Sequence, residues 1–333
     1  MEGFARSALT IGAAALFAGC GPQVTVFTPS AGALAQRGFG FANGSTAAPE
    51  LLISAWRYGR SGPGLLEFAQ HASGNASPMR QLDFIFPPYG EDRFGNFWGG
   101  PVHYSVAGHV IGRLLVLQGD VLTAFTLDRN HNVYIAGGPG KPQTCPFTGE
   151  VTVNEYAAGV YGQPPPTRYI DLGRPCSIPS ITVTGSGNVA VTAVYMKRKL
   201  TRFVIREFPS RGSGEVKPIR AIELGSAPVS NLVGDTRGDI YALIGSPSSS
   251  NGGTIAEYGP TGTRSRRLGI SGNVLGFALD ARERIFAALA GTGGTTIAEV
   301  DSFRSGSRVP FARLKGKKTR FVGALFIGIT ARQ

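Results

Sequence analysis

The chain has 333 residues, enough for one large all-β domain or two smaller ones. With 42% hydrophobic residues it is not a disordered chain, and with 48 glycines and only 16% charged residues it suits short strands joined by tight turns. The net charge of +12 comes from 33 lysines and arginines, 7 of them lysine, and favours anionic partners.

Residues 1–20 read as a secretory leader. Ala8 to Ala18 is apolar but shorter than the roughly 20 residues needed to span a bilayer. It ends in Leu16-Phe17-Ala18-Gly19-Cys20, which resembles the bacterial lipobox, with Phe17 where that motif usually has leucine. The resemblance implies lipidation at Cys20, membrane attachment through a lipid anchor, and an extracytoplasmic place at the cell envelope. Residues 21–50 are rich in Ala, Gly, Ser, Thr and Pro without a sustained period, and read as a flexible tether.

Beyond residue 51 one phrase recurs. Its clearest copy is Asp235-Thr236-Arg237-Gly238-Asp239-Ile240-Tyr241. Others open at Asp92, Asp128 and Asp280, with a weaker copy at Thr184; the steps are 36, 56, 51 and 45 residues. Asp caps turn backbone and Gly or Asn accepts left-handed dihedrals, so the phrase reads as a hairpin turn. A second landmark is a strand with Glu beside an apolar or aromatic residue: Glu67, Glu155, Glu207, Glu257 and Glu299, with His103-Tyr104 in that place after Asp92. A repeated carboxylate points to a structural role at a blade edge or between blades. Unequal steps of this size suit propeller blades rather than a rigid solenoid.

The turn phrase resembles the inner turn of six-bladed propellers of the NHL and gluconolactonase-like kind. The resemblance covers most of 51–333 and implies an all-β fold, a six-bladed β-propeller of four-stranded antiparallel blades. The blades fall at about 84–119, 120–173, 174–224, 225–270 and 271–316. The remaining blade combines 51–83 with a C-terminal strand from about 320–333, a clasp that removes open edges. The second blade has the poorest first strand, Phe84-Ile85-Phe86-Pro87-Pro88.

Naming the strands of each blade A to D from the centre, the phrase is the A–B turn. The B–C loops and D–A crossings then share the opposite end. That end collects Arg57, Arg60, Lys141, Arg174, Lys197, Lys199, Lys315, Lys317 and Lys318, an anion-binding candidate, whereas Lys217 falls elsewhere. It also collects Cys145 and Cys176, which in an exported chain form a disulfide.

No His-Glu-x-x-His pattern, nucleophile elbow or Walker loop is present, and two cysteines outside the leader cannot make an all-thiolate zinc site. No cofactor or metal is therefore expected, and no catalytic residue stands out. The leading reading is a binding or scaffold module at the envelope, monomeric, with an anionic ligand or an envelope protein as partner and no nucleic acid. The alternative is a lactonase-like hydrolase or lyase with a metal-dependent site in the central channel, although the carboxylate–amide set such lactonases need has no residue-by-residue match here.

Overall fold

The structure is a computed structural model, and it describes residues 49–56, 63–83, 90–91, 96–105, 107–115, 120–139, 149–197, 200–245, 253–270, 273–280, 282–291, 297–304, 307–317 and 324–331. Residues 1–48, with the expected leader, Cys20 and most of the expected tether, lie outside the described residues, and the first strand starts at Pro49, two residues before the expected edge of the domain.

Twenty-four strands form six four-stranded antiparallel sheets among the described residues. Sheet I has the order β24(Ala324–Ala331), β1(Pro49–Trp56), β2(Pro63–Ala69), β3(Arg80–Asp83). Sheet II is β4(Gly90–Glu91), β5(Phe97–Gly99), β6(Val102–Tyr104), β7(Val110–Arg113). Sheet III is β8(Asp120–Leu127), β9(Val133–Pro139), β10(Thr152–Tyr156), β11(Arg168–Asp171). Sheet IV is β12(Ser177–Val183), β13(Val189–Lys197), β14(Leu200–Phe208), β15(Arg220–Gly225). Sheet V is β16(Val229–Gly234), β17(Ile240–Ile244), β18(Thr254–Tyr258), β19(Arg264–Gly269), and sheet VI is β20(Val274–Leu279), β21(Ile285–Ala290), β22(Ile297–Phe303), β23(Ala312–Lys315).

Six blades were expected, the second of them with the poorest first strand, and it is there that the structure departs from six full blades. Five are full-sized. Sheet II is reduced, with strands of two, three, three and four residues. The cause is local: Gly100, at φ +57°, and Pro101 turn the chain back after Gly99, which pairs directly with Val102. A two-residue turn so close to the phrase leaves three residues for each of the middle strands.

Burial explains the strand sequences. The second strands β9, β17 and β21 are buried on both faces, and so read as continuous apolar runs. The outer strands β11 and β15 alternate, burying Arg168 and Ile170, or Arg220 and Ile222, between exposed neighbours. The core lies between neighbouring sheets. Trp98 and Leu114 of sheet II pack with Phe125 and Ile135 of sheet III, and Leu51, Ile53 and Phe68 of sheet I share a cluster with Phe277 and Phe286 of sheet VI.

Hydrogen bonds between sheets add register. Ser180 Oγ accepts the Leu232 N–H at 2.9 Å, Thr182 Oγ1 the Gly234 N–H at 3.0 Å, and Asn231 Oδ1 the Phe277 N–H at 3.0 Å. On the outside, the loops after the third strands of sheets I, III and IV reach back to the preceding sheet. Gly74 forms a parallel bridge to Leu314, Gly162 to Leu114 and Gly214 to Ile170. All three glycines have positive φ, from +61° to +85°. The bridges occupy backbone groups on outer strands that would otherwise be open edges.

Candidate functional site

The turn phrase is where the sequence placed it, and its chemistry is visible. Asp235 Oδ1 accepts the N–H groups of Arg237 and Asp239 at 2.9 and 2.8 Å, and Asp128 and Asp280 make the same pair of bonds. The fourth residue of each described copy is left-handed: His131 at φ +65°, Gly187 at +82°, Gly238 at +91° and Glu283 at +57°. This is a three-residue hairpin loop with a bulge at the left-handed position. The phrase is a turn in four copies, and its carboxylates are engaged by backbone.

The repeated glutamates are also structural. Four of the five lie opposite an arginine on the outermost strand: Glu67 and Arg80 at 2.5 Å, Glu155 and Arg168 at 2.8 Å, Glu207 and Arg220 at 2.6 Å, and Glu257 with Arg266. The arginines continue into the next sheet. Arg168 Nη1 donates to Pro209 O at 3.0 Å, and Arg220 donates to Gly238 O at 3.1 Å and to Tyr258 O and Gly259 O. Sequence reasoning found the glutamates and missed these partners. The signal was present, because Glu67/Gly74/Arg80, Glu155/Gly162/Arg168 and Glu207/Gly214/Arg220 share one spacing of seven and six residues.

Glu299 does not belong to this series. It lies opposite Leu289, whereas Ser302 lies opposite Phe286, the place that Glu257 holds opposite Tyr241. The words Thr296-Ile297-Ala298-Glu299-Val300 and Thr254-Ile255-Ala256-Glu257-Tyr258 are alike, yet the first sits three residues out of step. In sheet VI the ion pair is carried instead by Asp301 and Arg313 at 2.8 Å, and Glu299 takes Arg313 at 2.9 Å and Lys315 at 3.5 Å.

Two places depart from the repeat. In sheet II, His103 occupies the glutamate position opposite Trp98, with Gly112 where the arginine would be. His103 stacks on Trp98 at 4.4 Å with an interplanar angle of 4°, and its Nδ1 is 2.8 Å from Tyr161 Oη. Tyr161 comes from sheet III and fills the space above Gly112, where a Cβ would meet its ring at 2.1 Å. An aromatic plug thus replaces the ion pair in the reduced sheet.

The second departure is a charged knot on the turn end. Arg237 Nη2 lies 3.1 Å from Asp235, 3.1 Å from Asp239 and 2.9 Å from Glu283 of the next turn. Burial and the Asp235 carboxylate raise the pKa of Asp239, and burial likewise raises that of Glu283 against the pull of Arg237. Glu283 also holds a left-handed dihedral that costs a non-glycine residue about 1–2 kcal/mol, while its partner Arg237 is 55% exposed and such a pair contributes about 0–1 kcal/mol. Glu283→Gly is therefore expected to be neutral to stabilising, by up to about 1 kcal/mol in urea unfolding at pH 7. A carboxyl whose pKa folding raises binds its proton more tightly in the folded state. Its contribution is present at low pH and lost as pH rises from the unfolded carboxylate range through the folded value. The advantage of Glu283→Gly should accordingly be larger at pH 7 than at pH 4.

At the opposite end, the structure brings together only part of the basic set. Arg57, Arg60, Lys141, Lys199, Lys318 and Cys145 lie outside the described residues. Arg174 is exposed just after β11, Lys197 is the last residue of β13, and Lys317 is exposed after β23. Lys315 was expected in the crossing that follows; it is instead the last residue of β23, placed opposite Glu299 by the strand register. Cys176 is disulfide-bonded. Among the described residues, no three His, Cys, Asp or Glu side chains converge to hold a metal ion.

No protein-family model matches the chain, and no curated protein does. Solved structures do. A protein of unknown function from Bacteroides caccae aligns with a TM-score of 0.57 at 11% identity, covering 86% of this chain and all of that one. The fold is a β-propeller. BamB from Moraxella catarrhalis aligns at a TM-score of 0.39 and 10% identity over 73% of this chain and 79% of that one. The WD40 β-propeller domain of Doa1 aligns at 0.35 and 12% identity over 80% and 87%. At 11% identity the likeness to the Bacteroides caccae protein concerns the fold alone and nothing of its chemistry.

Proposed function

We propose that this propeller is an extracytoplasmic, lipid-anchored binding or scaffold module of the cell envelope, taking an anionic ligand or an envelope protein at its B–C and D–A end. The observation that carries the reading is exposed basic charge at that end of a molecule with net charge +12, although Arg129, Arg211 and Arg282 are exposed at the turn end as well. The repeat's carboxylates are engaged within the fold, by turn backbone and by outer-strand arginines, while Arg174 and Lys317 stand exposed at the far end. Unneutralised cations around one end of a basic molecule attract anions. In this reading the reduced sheet counts as a sixth blade of the NHL or gluconolactonase-like kind, and β24 closes the ring by pairing with β1. Cys145 is the partner of Cys176, a bond across about 30 residues that stabilises by roughly 3 kcal/mol, and Cys20 carries the anchor.

The test is retention on an immobilised polyanion such as heparin. Arg174→Glu and Lys317→Glu should each elute at clearly lower salt than Lys217→Glu, which changes the net charge equally at a different place. Equal shifts for all three would remove the localised site. The mass of the N-terminal peptide from the native host tests the anchor separately, and an unmodified peptide starting elsewhere than Cys20 would remove it.

A further inference from the structure

Sheet IV contains the longest strands described. β13 and β14 each run nine residues and pair continuously from Val189↔Phe208 to Lys197↔Leu200. Their neighbours stop earlier. The inner strand β12 pairs with β13 only as far as Val194, opposite Ser177, and the outer strand β15 pairs with β14 only as far as Phe203, opposite Gly225. Tyr195 to Lys197 and Leu200 to Arg202 therefore stand beyond both neighbours as a two-stranded ribbon, at the B–C end.

The ribbon's composition is unusual for a free hairpin. Leu200 is 64% exposed and Met196 is 44% exposed, and Thr201 and Arg202 are exposed as well. Residues 196–202 read Met-Lys-Arg-Lys-Leu-Thr-Arg, four cations in seven residues with no acid. The acid on the adjoining outer strand, Glu223, is paired in register with Val204, below the ribbon. The base is anchored, with the Arg206 guanidinium 4.8 Å from the centre of the Tyr195 ring and the Cys176 N–H donating to Val194 O at 2.6 Å.

Register decides which partner fits. Residues directly opposite one another share a face and neighbours along a strand alternate, so Met196 lies with Thr201 on one face and Leu200 on the other. Each face of the ribbon thus presents one exposed apolar side chain. A protein partner laid on one face would leave the other apolar group in water. A fluid interface surrounds the end of the ribbon, takes both apolar groups into the acyl boundary and leaves the exposed Arg202 among headgroups, which is the arrangement of interfacial membrane-binding segments. We infer that the end of the β13–β14 ribbon inserts into the surface of an anionic lipid bilayer, with Met196 and Leu200 as the inserted groups.

The inference rests on the envelope reading above, and names the anionic partner of that end. It is tested with the chain lacking residues 1–20, since no described strand uses a residue before Pro49. Co-sedimentation is measured with phosphatidylcholine vesicles containing about 30% phosphatidylglycerol, and with phosphatidylcholine alone. Binding is expected to the anionic vesicles only, to weaken with salt, and to fall about tenfold in Met196→Ser/Leu200→Ser, with the fold verified by circular dichroism. Arg202→Glu should weaken it too. Undiminished binding in the double variant overturns the inference, as does absence of binding to anionic vesicles. Capture of soluble poly-glutamate through the same residues without vesicle binding also overturns it, in favour of an acidic polypeptide. Because the leader and Cys20 are absent, loss of the lipid-anchor reading leaves this assay unchanged, and failure of this assay leaves heparin retention through Arg174 and Lys317 standing.

Discussion

Arg220→Met is expected to destabilise the protein by about 3–5 kcal/mol in urea unfolding, the largest effect of any single change considered. The side chains of Arg220 and Glu207 are each 4% exposed, so removing the cation leaves a carboxylate buried without its main partner. The guanidinium also satisfies carbonyl oxygens of Gly238, Tyr258 and Gly259 in the next sheet, and those lose a donor together. Replacing both members, Glu207→Leu with Arg220→Met, should recover a good part of the loss, because the desolvation of two charges is removed along with their attraction. Arg266→Met is the control. Its side chain is 30% exposed, and solvent compensates there, so the cost should be nearer 1 kcal/mol.

Gly185→Ala is expected to cost about 2–3 kcal/mol through overpacking. A Cβ at this position would lie 2.4 Å from both the Cα and the carbonyl oxygen of Thr236. The obstacle is backbone, so no side chain can swing aside. Retreat of the Asp235 turn would stretch the Gly185 N–H to Asp235 O bond, now 2.8 Å, and disturb the cage that Asp235 builds around Arg237 and Asp239. Gly269→Ala is the matched control in an outer strand. No atom lies within 4 Å of a Cβ there, and its stability should stay within about 0.5 kcal/mol of the wild type.

The two glycines of Thr184-Gly185-Ser186-Gly187 show how much of this is legible in a sequence. Both read as turn residues. Gly187 is one, with its positive φ, and its place in the phrase says so. Gly185 is there because another turn passes close by, and nothing in its own neighbourhood announces that. The same limit governs the glutamates. Their repetition marked them as structural, and the shared spacing to Arg80, Arg168 and Arg220 was available for the partners. Glu299 misled because its words match Glu257, while β22 pairs with β21 three residues out of step. The basic end was legible only as a distribution of charge. Lys315 turned out to be held by Glu299, and the protruding ribbon of β13 and β14 could not be seen until the ends of their neighbours were known.

The sequence by itself determined the turns and the strand inventory. Their causes are local: an Asp side chain reaches N–H groups two and four residues on, a left-handed position needs one tolerant residue, and apolar runs or alternation follow from burial on two faces or one. Only the tertiary structure decided that Glu299 falls out of the glutamate series, that Gly185 faces the backbone of Thr236, and where a hairpin outruns its sheet. Those depend on register between strands and on the approach of neighbouring sheets, which are set by packing across the chain and leave no mark at the residues concerned.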